Sequence, residues 1–355
     1  MDKIDFDGMK KKNKALYQAL WEGVNFDAAV EQTWDKKYKK YSSNSYSFSK
    51  ASLLINIFNI KDSTLFEEKY KMAVGGSGNE GDKITTLHSS SLCALLHFYN
   101  VEKHALTLEF KTKNNKNGEI KRRVRFTKSV FEFKSPVIDN PSNMDVVLIG
   151  KDETSNEDVV LFLESKFAEY YLSAGTTCRG ISKKYLDNEY TQALYKKNNI
   201  GALELKIEDS KKDPAKFDLV TKDPNEPFYI AGIKQMISHY CGIRNLLASK
   251  TYTEKDAYRK ENVQEVVESE IKDKKKNPVV MLGEIVFDSK IGDLKLSSDS
   301  KKTCLEIYRE KYQELANIIA AIDLPENFEI VKDLLCYSTI RDKIDDKVKA
   351  FYYGK

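Results

Sequence analysis

Apolar and polar positions along this chain fall into short blocks of changing period. The clearest are two β-branched runs, Val146-Val147-Leu148-Ile149 and Val159-Val160-Leu161-Phe162-Leu163, on either side of a polar tract from Lys151 to Asp158. Two such runs around a polar connection predict an antiparallel hairpin. A turn centred between Thr154 and Ser155 places Asp145 opposite Glu164, and directly opposed residues share a face with their Cβ atoms about 5 Å apart. Strand alternation carries Lys166 to that same face. Both faces are otherwise largely apolar, so the sheet is expected to be covered on both sides.

The rest of the chain alternates helical and extended patterns. Helical stretches are expected at Ala15 to Trp21 and Phe26 to Trp34, a buried helix from Thr85 to Asn100, and helices at Tyr229 to Ala248 and Thr303 to Ile322, the last closed by Asp323-Leu324-Pro325. A second hairpin is expected from His104 to Lys113 and Glu119 to Lys128, turned at Asn117-Gly118. Further strands are expected at Val130 to Phe133, Val279 to Phe287 and Phe328 to Tyr337. Phe167 to about Lys197 reads as helical despite Gly175 and Gly180, and Asp209 to Asn225 as a structureless loop. The expected architecture is α/β: a mixed central β-sheet flanked by helices over 49–355, with a helical extension at 1–48 and a charged insertion near 250–277.

Composition narrows the classes. A chain of 355 residues with 41% hydrophobic residues can bury a substantial core. No apolar run reaches the length of a membrane span, and the acidic start Met1-Asp2-Lys3-Ile4-Asp5 is unlike a signal peptide. Five scattered cysteines suggest neither a zinc knuckle nor a disulfide framework, and a reducing cytoplasm fits them best. The net charge of +4 permits nucleic-acid binding without arguing for it, so the local distribution matters more. From Lys111 to Lys128 there are eight basic residues against one acid, Glu119. Lys121, Arg122, Arg123 and Arg125 in this stretch are candidates for a nucleic-acid backbone; an edge strand protected by solvated lysines is the competing account. Neither a nucleophile elbow, a dinucleotide fingerprint nor a P-loop is present.

The chemistry centres on the hairpin. Two carboxylates about 5 Å apart repel by about 3 kcal/mol at an effective dielectric of about 20, and burial adds to the cost. A shared proton or Lys166 offsets part of this, and a divalent cation taking oxygens from both acids offsets more. The lysine then stands beside the metal, where it can hold a water or a phosphate oxygen.

Asp145 followed by Glu164-Ser165-Lys166 on the next strand resembles the catalytic hairpin of the PD-(D/E)xK nuclease superfamily, the restriction-endonuclease-like fold. Leu87-His88-Ser89-Ser90-Ser91-Leu92 and Glu164-Ser165-Lys166-Phe167-Ala168-Glu169 further resemble a little-characterised bacterial group of putative restriction endonucleases. The likeness spans roughly Gly75 to Tyr171 plus a helix near Gln235; Met144 stands where the superfamily has proline. The resemblance implies a Mg²⁺- or Mn²⁺-dependent nuclease acting on double-stranded DNA. Asp145, Glu164 and the Ser165 carbonyl would hold the metal, and Lys166 would polarise the attacking water. It also implies a further upstream acid, for which Glu80, in the glycine-rich turn, is preferred over Glu67 and Glu68.

His88 and Ser89 are candidates for a phosphate contact, His88 also for orienting a metal-bound water, or alternatively a polar helix cap. Glu169 and Gln235 are candidates beside the site, and Gln235 shares a helix face with His239. Cutting both strands in concert requires two active centres, which is compatible with a homodimer. A binding module that keeps the fold without catalysis is the alternative function, and a purely structural ion cluster is the third reading.

Overall fold

The computed structural model describes residues 4, 9–22, 30–35, 40–48, 54–75, 84–138, 141–248, 262–273 and 275–354. Its helices are α1 (Lys11–Trp21), α2 (Leu54–Ile57), α3 (Ser63–Val74), α4 (Ser90–Phe98), α5 (Glu169–Leu172), α6 (Lys184–Asp187), α7 (Lys197–Ala202), α8 (Ile230–Leu247), α9 (Asn262–Lys272), α10 (Cys304–Ala321) and α11 (Asp346–Tyr353). The strands are β1 (Val30–Asp35), β2 (Lys40–Phe48), β3 (Leu106–Asn114), β4 (Gly118–Ser135), β5 (Ser142–Asp152), β6 (Asp158–Lys166), β7 (Thr177–Ser182), β8 (Leu205–Asp209), β9 (Lys216–Thr221), β10 (Val279–Val286), β11 (Phe328–Val331) and β12 (Leu335–Cys336).

The fold is α/β, built on a mixed seven-stranded sheet ordered β11-β3-β4-β5-β6-β10-β12 and flanked by helices. β3 to β6 run antiparallel to their neighbours, whereas β10 joins β6 in parallel. A parallel partner requires a crossover connection, and residues 167–278 supply it. The β5–β6 hairpin has the register read from its sequence: Val146 faces Leu163 and Lys151 faces Asp158. Its core residues Val146, Val147, Leu148, Val160, Leu161, Phe162 and Leu163 are buried, as expected for strands covered on both faces.

The β3–β4 hairpin turns at Gly118, whose φ of 68° is readily adopted only without a side chain. β4 is longer than expected. It absorbs the separate strand predicted at Val130 to Phe133, with a bulge between Phe126 and Lys128. Gly150 faces that bulge, where a β-carbon would lie 2.2 Å from the Arg125 carbonyl oxygen.

Several expectations need correction. Residues 30–35 form a strand paired with β2, where a helix through Trp34 was expected; Phe26 lies outside the described residues. The stretch after Lys166 is not a broken helix: β7 pairs with β9, and β9 with β8, in a separate three-stranded sheet. The supposed loop from Asp209 to Asn225 therefore contains β9. Leu205-Lys206-Ile207-Glu208 alternates apolar and charged residues, the pattern of a half-buried strand, but over too few residues to stand out from the charged segments around it. The charged insertion includes α9, whose Val267 is buried; residues 250–261 lie outside the described residues. The last expected strand divides into β11 and β12, and a further helix, α11, follows.

The N-terminal helix lies within the core rather than along its edge. Leu16, Tyr17, Leu20 and Trp21 are buried, and Lys12 donates to the carbonyls of Tyr171 and Ala174 at 3.4 Å. Among the described residues, no helix is long and apolar enough to cross a membrane.

Candidate active site

Neighbouring strands bring a row of carboxylates to one level of the sheet. Asp145 and Glu164 come next after the Val146–Leu163 pair. Glu284 of β10 lies directly beside Glu164. Glu132 of β4 lies between Phe131 and Phe133, the partners of Val146 and Met144, and so stands beside Asp145. Glu132 holds a φ of 54°, a conformation uncommon for a residue with a side chain.

A cavity of about 400 Å³ opens over this row. Its lining includes Glu132, Asn143, Asp145, Glu164, Lys166 and Tyr229. His88, Ser89, Glu169 and Gln235, the other candidates from the sequence, line it too. The hairpin, the start of α4 and the start of α8 thus converge on one space.

Within it, Asp145 Oδ2 accepts the Ser165 N–H at 2.7 Å. In an extended strand the N–H and C=O of one residue point to the same side, so the Ser165 carbonyl also lies on the β5 side. Glu164 is 4% exposed and Lys166 3%. Lys166 Nζ is ion-paired with Glu164 Oε1 and donates to Gln235 Oε1 at 3.1 Å. The Gln235 amide nitrogen donates to Glu164 Oε1 at 3.1 Å, and Tyr229 Oη donates to Gln235 Oε1 at 3.1 Å. His239 Nε2 stands 2.9 Å from Glu164 Oε2, while its Nδ1 meets Ser142 Oγ. One face of α8 therefore holds Glu164 and Lys166 in place.

The two central acids differ in their electrostatics. Burial and the neighbouring charges of Glu164 and Glu132 push the Asp145 carboxyl well above the usual range. Burial acts in the same direction on Glu164, but Lys166 and His239 override it and hold Glu164 well below that range. Burial disfavours the charge on Lys166, yet Glu164 keeps its pKa well above the ordinary lysine value. Glu164 thus holds Lys166 as a cation. Glu284, in the same row but absent from the cavity lining, is fully buried, and burial, with the Glu164 charge, pushes it up to about 8. Tyr308 donates to its Oε2 at 3.1 Å, while its Oε1 has no partner among the described residues.

The other sequence candidates separate. Ser89 caps α4, its Oγ accepting the Leu92 N–H at 3.2 Å, as the capping reading expected. Glu169 Oε2 accepts the Phe167 and Ala168 N–H groups at 2.6 and 3.0 Å, fixing the chain beyond β6. Glu80 lies outside the described residues. Glu67 and Glu68 are exposed on α3 and are absent from the cavity lining.

The basic stretch needs a correction at Arg122. This residue is 7% exposed and paired with Asp152, Glu157 and Glu329, so it cannot face a nucleic-acid backbone. Arg123 is exposed but paired with Glu109 and Glu153. Lys121 and Arg125 are exposed, and Arg125 borders a second cavity of about 670 Å³.

Glu132, Asn143, Tyr229, His239 and Glu284 were not selected from the sequence. Glu132 and Glu284 carried a usable signal, since each is a carboxylate set among apolar neighbours in its strand, and burying a charge without a purpose is costly.

Among the described residues, no group of three or more His, Cys, Asp or Glu side chains is arranged to hold a metal ion. The donor set nonetheless suits a hard cation: the Asp145 and Glu164 carboxylates and the Ser165 carbonyl are all oxygen donors. Mg²⁺ commonly takes one or two carboxylates and completes its shell with water and phosphate oxygens. Comparison of this chain with models of known protein families, with curated proteins and with solved structures finds no match.

Proposed function

We propose that this protein is a divalent-cation-dependent nuclease of the PD-(D/E)xK type, hydrolysing phosphodiester bonds in double-stranded DNA. The observation that carries the reading is the meeting of Asp145, Glu164 and Lys166 in one cavity, on the hairpin register that their spacing predicts. Crowding of Asp145 by Glu164 and Glu132 supports it, since carboxylates crowded in this way are the expected state of a site that takes up positive charge.

Asp145, Glu164 and the Ser165 carbonyl would hold Mg²⁺ or Mn²⁺. When bound, such an ion supplies Lewis-acid polarisation of the phosphate and lowers the pKa of a coordinated water. The protein's own groups do the positioning. Lys166, kept charged by Glu164, orients the attacking water and stabilises the negative charge that develops on the phosphoryl oxygens. Gln235 ties Lys166 to Glu164, and His239 fixes the other carboxylate oxygen. Lys121 and Arg125, exposed on the β3–β4 hairpin, would meet the DNA backbone.

The test is incubation with supercoiled plasmid in Mg²⁺ or Mn²⁺. Nicking that EDTA abolishes, and that Asp145→Asn and Lys166→Ala each eliminate without loss of DNA binding, supports the reading. DNA binding without nicking under any of these metals overturns it in favour of a binding module. Absence of both leaves the acids and Lys166 as a structural ion cluster.

A further inference from the structure

His88 enters the cavity wall with its protonation state decided by the N-terminal helix. Tyr17 of α1 is fully buried, and its Oη lies 2.8 Å from His88 Nδ1. The same Oη accepts the backbone N–H of Tyr46 at 2.8 Å. Tyr46 in turn accepts the Leu87 N–H through its carbonyl at 2.9 Å, so α1, β2 and the segment before α4 are tied into one unit.

A phenol carries a single proton. If His88 Nδ1–H donated to Tyr17, the hydroxyl would accept twice and its own proton would be left unpaired in the core. Buried polar groups are rarely left so. The satisfied arrangement has Tyr17 donating to Nδ1, which leaves the imidazole proton on Nε2. Burial pushes the His88 pKa down to about 4, so the ring is neutral at physiological pH and carries one N–H. Nε2 has no hydrogen-bond partner among the described residues, and the ring lines the cavity.

We propose that Tyr17 is a positioning residue that holds His88 as its Nε2–H tautomer, and that this N–H donates to a non-bridging oxygen of the phosphate in the cavity. The second half rests on the nuclease reading; the first does not. Several carboxylates line this space with Lys166 as the charged donor, so a neutral N–H in the same cavity gives the phosphate a second anchor without repelling a cation. The same tautomer leaves no lone pair on Nε2, so His88 is not a metal ligand.

The experiment is long-range ¹H–¹⁵N correlation on protein labelled at its four histidines, with His88 assigned through His88→Ala. The expected spectrum shows His88 protonated on Nε2 in the wild type and a shift toward the other tautomer in Tyr17→Phe. Adding thymidine 3′,5′-bisphosphate with Ca²⁺ is expected to move the Nε2–H resonance. In plasmid nicking, Tyr17→Phe and His88→Ala should each slow the reaction by roughly tenfold, the worth of one hydrogen bond. His88→Gln, whose amide nitrogen reaches the Nε2 position, should recover part of that loss, and Ca²⁺ affinity should stay unchanged in all three.

Protonation of His88 on Nδ1 in the wild type overturns the positioning role. Calorimetric binding of the bisphosphate without movement of the Nε2–H resonance, or a loss of Ca²⁺ affinity in His88→Ala, overturns the donor role. Failure of the bisphosphate to bind with Ca²⁺ removes the nuclease reading and the donor role together, while the wild-type spectrum still decides the tautomer.

Discussion

His239 Nε2 lies 2.9 Å from Glu164 Oε2, joining two residues 75 positions apart. Gln235, one turn earlier on α8, reaches the other oxygen of the same carboxylate. Glu164 is thus held at both oxygens by one helix face, and Lys166 pairs with its Oε1. Removing His239 leaves a buried carboxylate oxygen unsatisfied, so His239→Phe is expected to cost about 1–3 kcal/mol of stability. Urea unfolding at pH 7 checks this, and His239→Gln should recover part of the loss.

Lys166 and Glu164 form a buried pair, and breaking one partner strands the other. Glu164→Gln is expected to destabilise the metal-free protein by about 3–5 kcal/mol. The double variant Glu164→Gln/Lys166→Met should lose less than the two single variants combined. A double-mutant cycle by chemical denaturation measures the coupling, and additive losses would mean that the two charges do not depend on each other.

Asp145 and Glu284 are both raised in the folded state, and the sign of the consequence follows. A carboxyl whose folded pKa exceeds its unfolded value binds more protons when folded, so its contribution is complete at low pH and declines as pH rises through the folded value. For Glu284 the window runs from its ordinary value of about 4.3 to about 8. Glu284→Gln keeps an amide where the protonated acid stood. Its stability relative to the wild type is expected to rise between pH 5 and pH 8, ending higher by on the order of 2–4 kcal/mol. Parallel melts across this pH range are the measurement, and curves that stay parallel would show that Glu284 does not titrate there.

Arg122 distinguishes structure from binding on a single strand. Arg122→Ala leaves Asp152 and Glu329 buried without their cation and should cost about 3–5 kcal/mol. Lys121→Ala and Arg125→Ala, on the exposed side, should change stability by less than about 0.5 kcal/mol. If DNA runs along this hairpin, the latter two also weaken binding and each lowers the slope of log affinity against log salt by about 1. Unfolding curves and salt-dependent binding separate the two effects.

Addition of Mg²⁺ or Mn²⁺ should raise the melting temperature of the wild type, since an ion that binds only the folded state stabilises it by mass action. Asp145→Asn should remove that response. It should also make the metal-free protein more stable at neutral pH, because it removes a carboxyl disfavoured first by burial and then by the neighbouring charges of Glu164 and Glu132. An equal metal response in the variant would place the cation elsewhere.

Much of the site was legible because it is built from a hairpin. Two apolar runs and the midpoint of the tract between them set the pairing, and the period of two in an extended strand then assigns Asp145, Glu164 and Lys166 to one face. The start of α8 was legible in the same way, since Gln235 and His239 lie one helical turn apart. The three-stranded sheet of β7, β8 and β9 was missed although β9 alternates buried Phe217 and Leu219 with Lys216 and Asp218: its strands are only five or six residues long and lie among charged, turn-forming segments that share the composition of loops.

The hairpin register, the helix faces and the common side of Asp145, Glu164 and Lys166 could be read from the chain alone, because each follows from backbone periodicity over a few residues. Their long-range partners came from packing. Tyr17 meets His88, α8 caps Glu164, Glu284 lies beside Glu164, and Arg122 turns inward among acids. These contacts join residues far apart in the chain, and they depend on how helices and strands pack around one core, for which no short-range pattern in the sequence carries a signal.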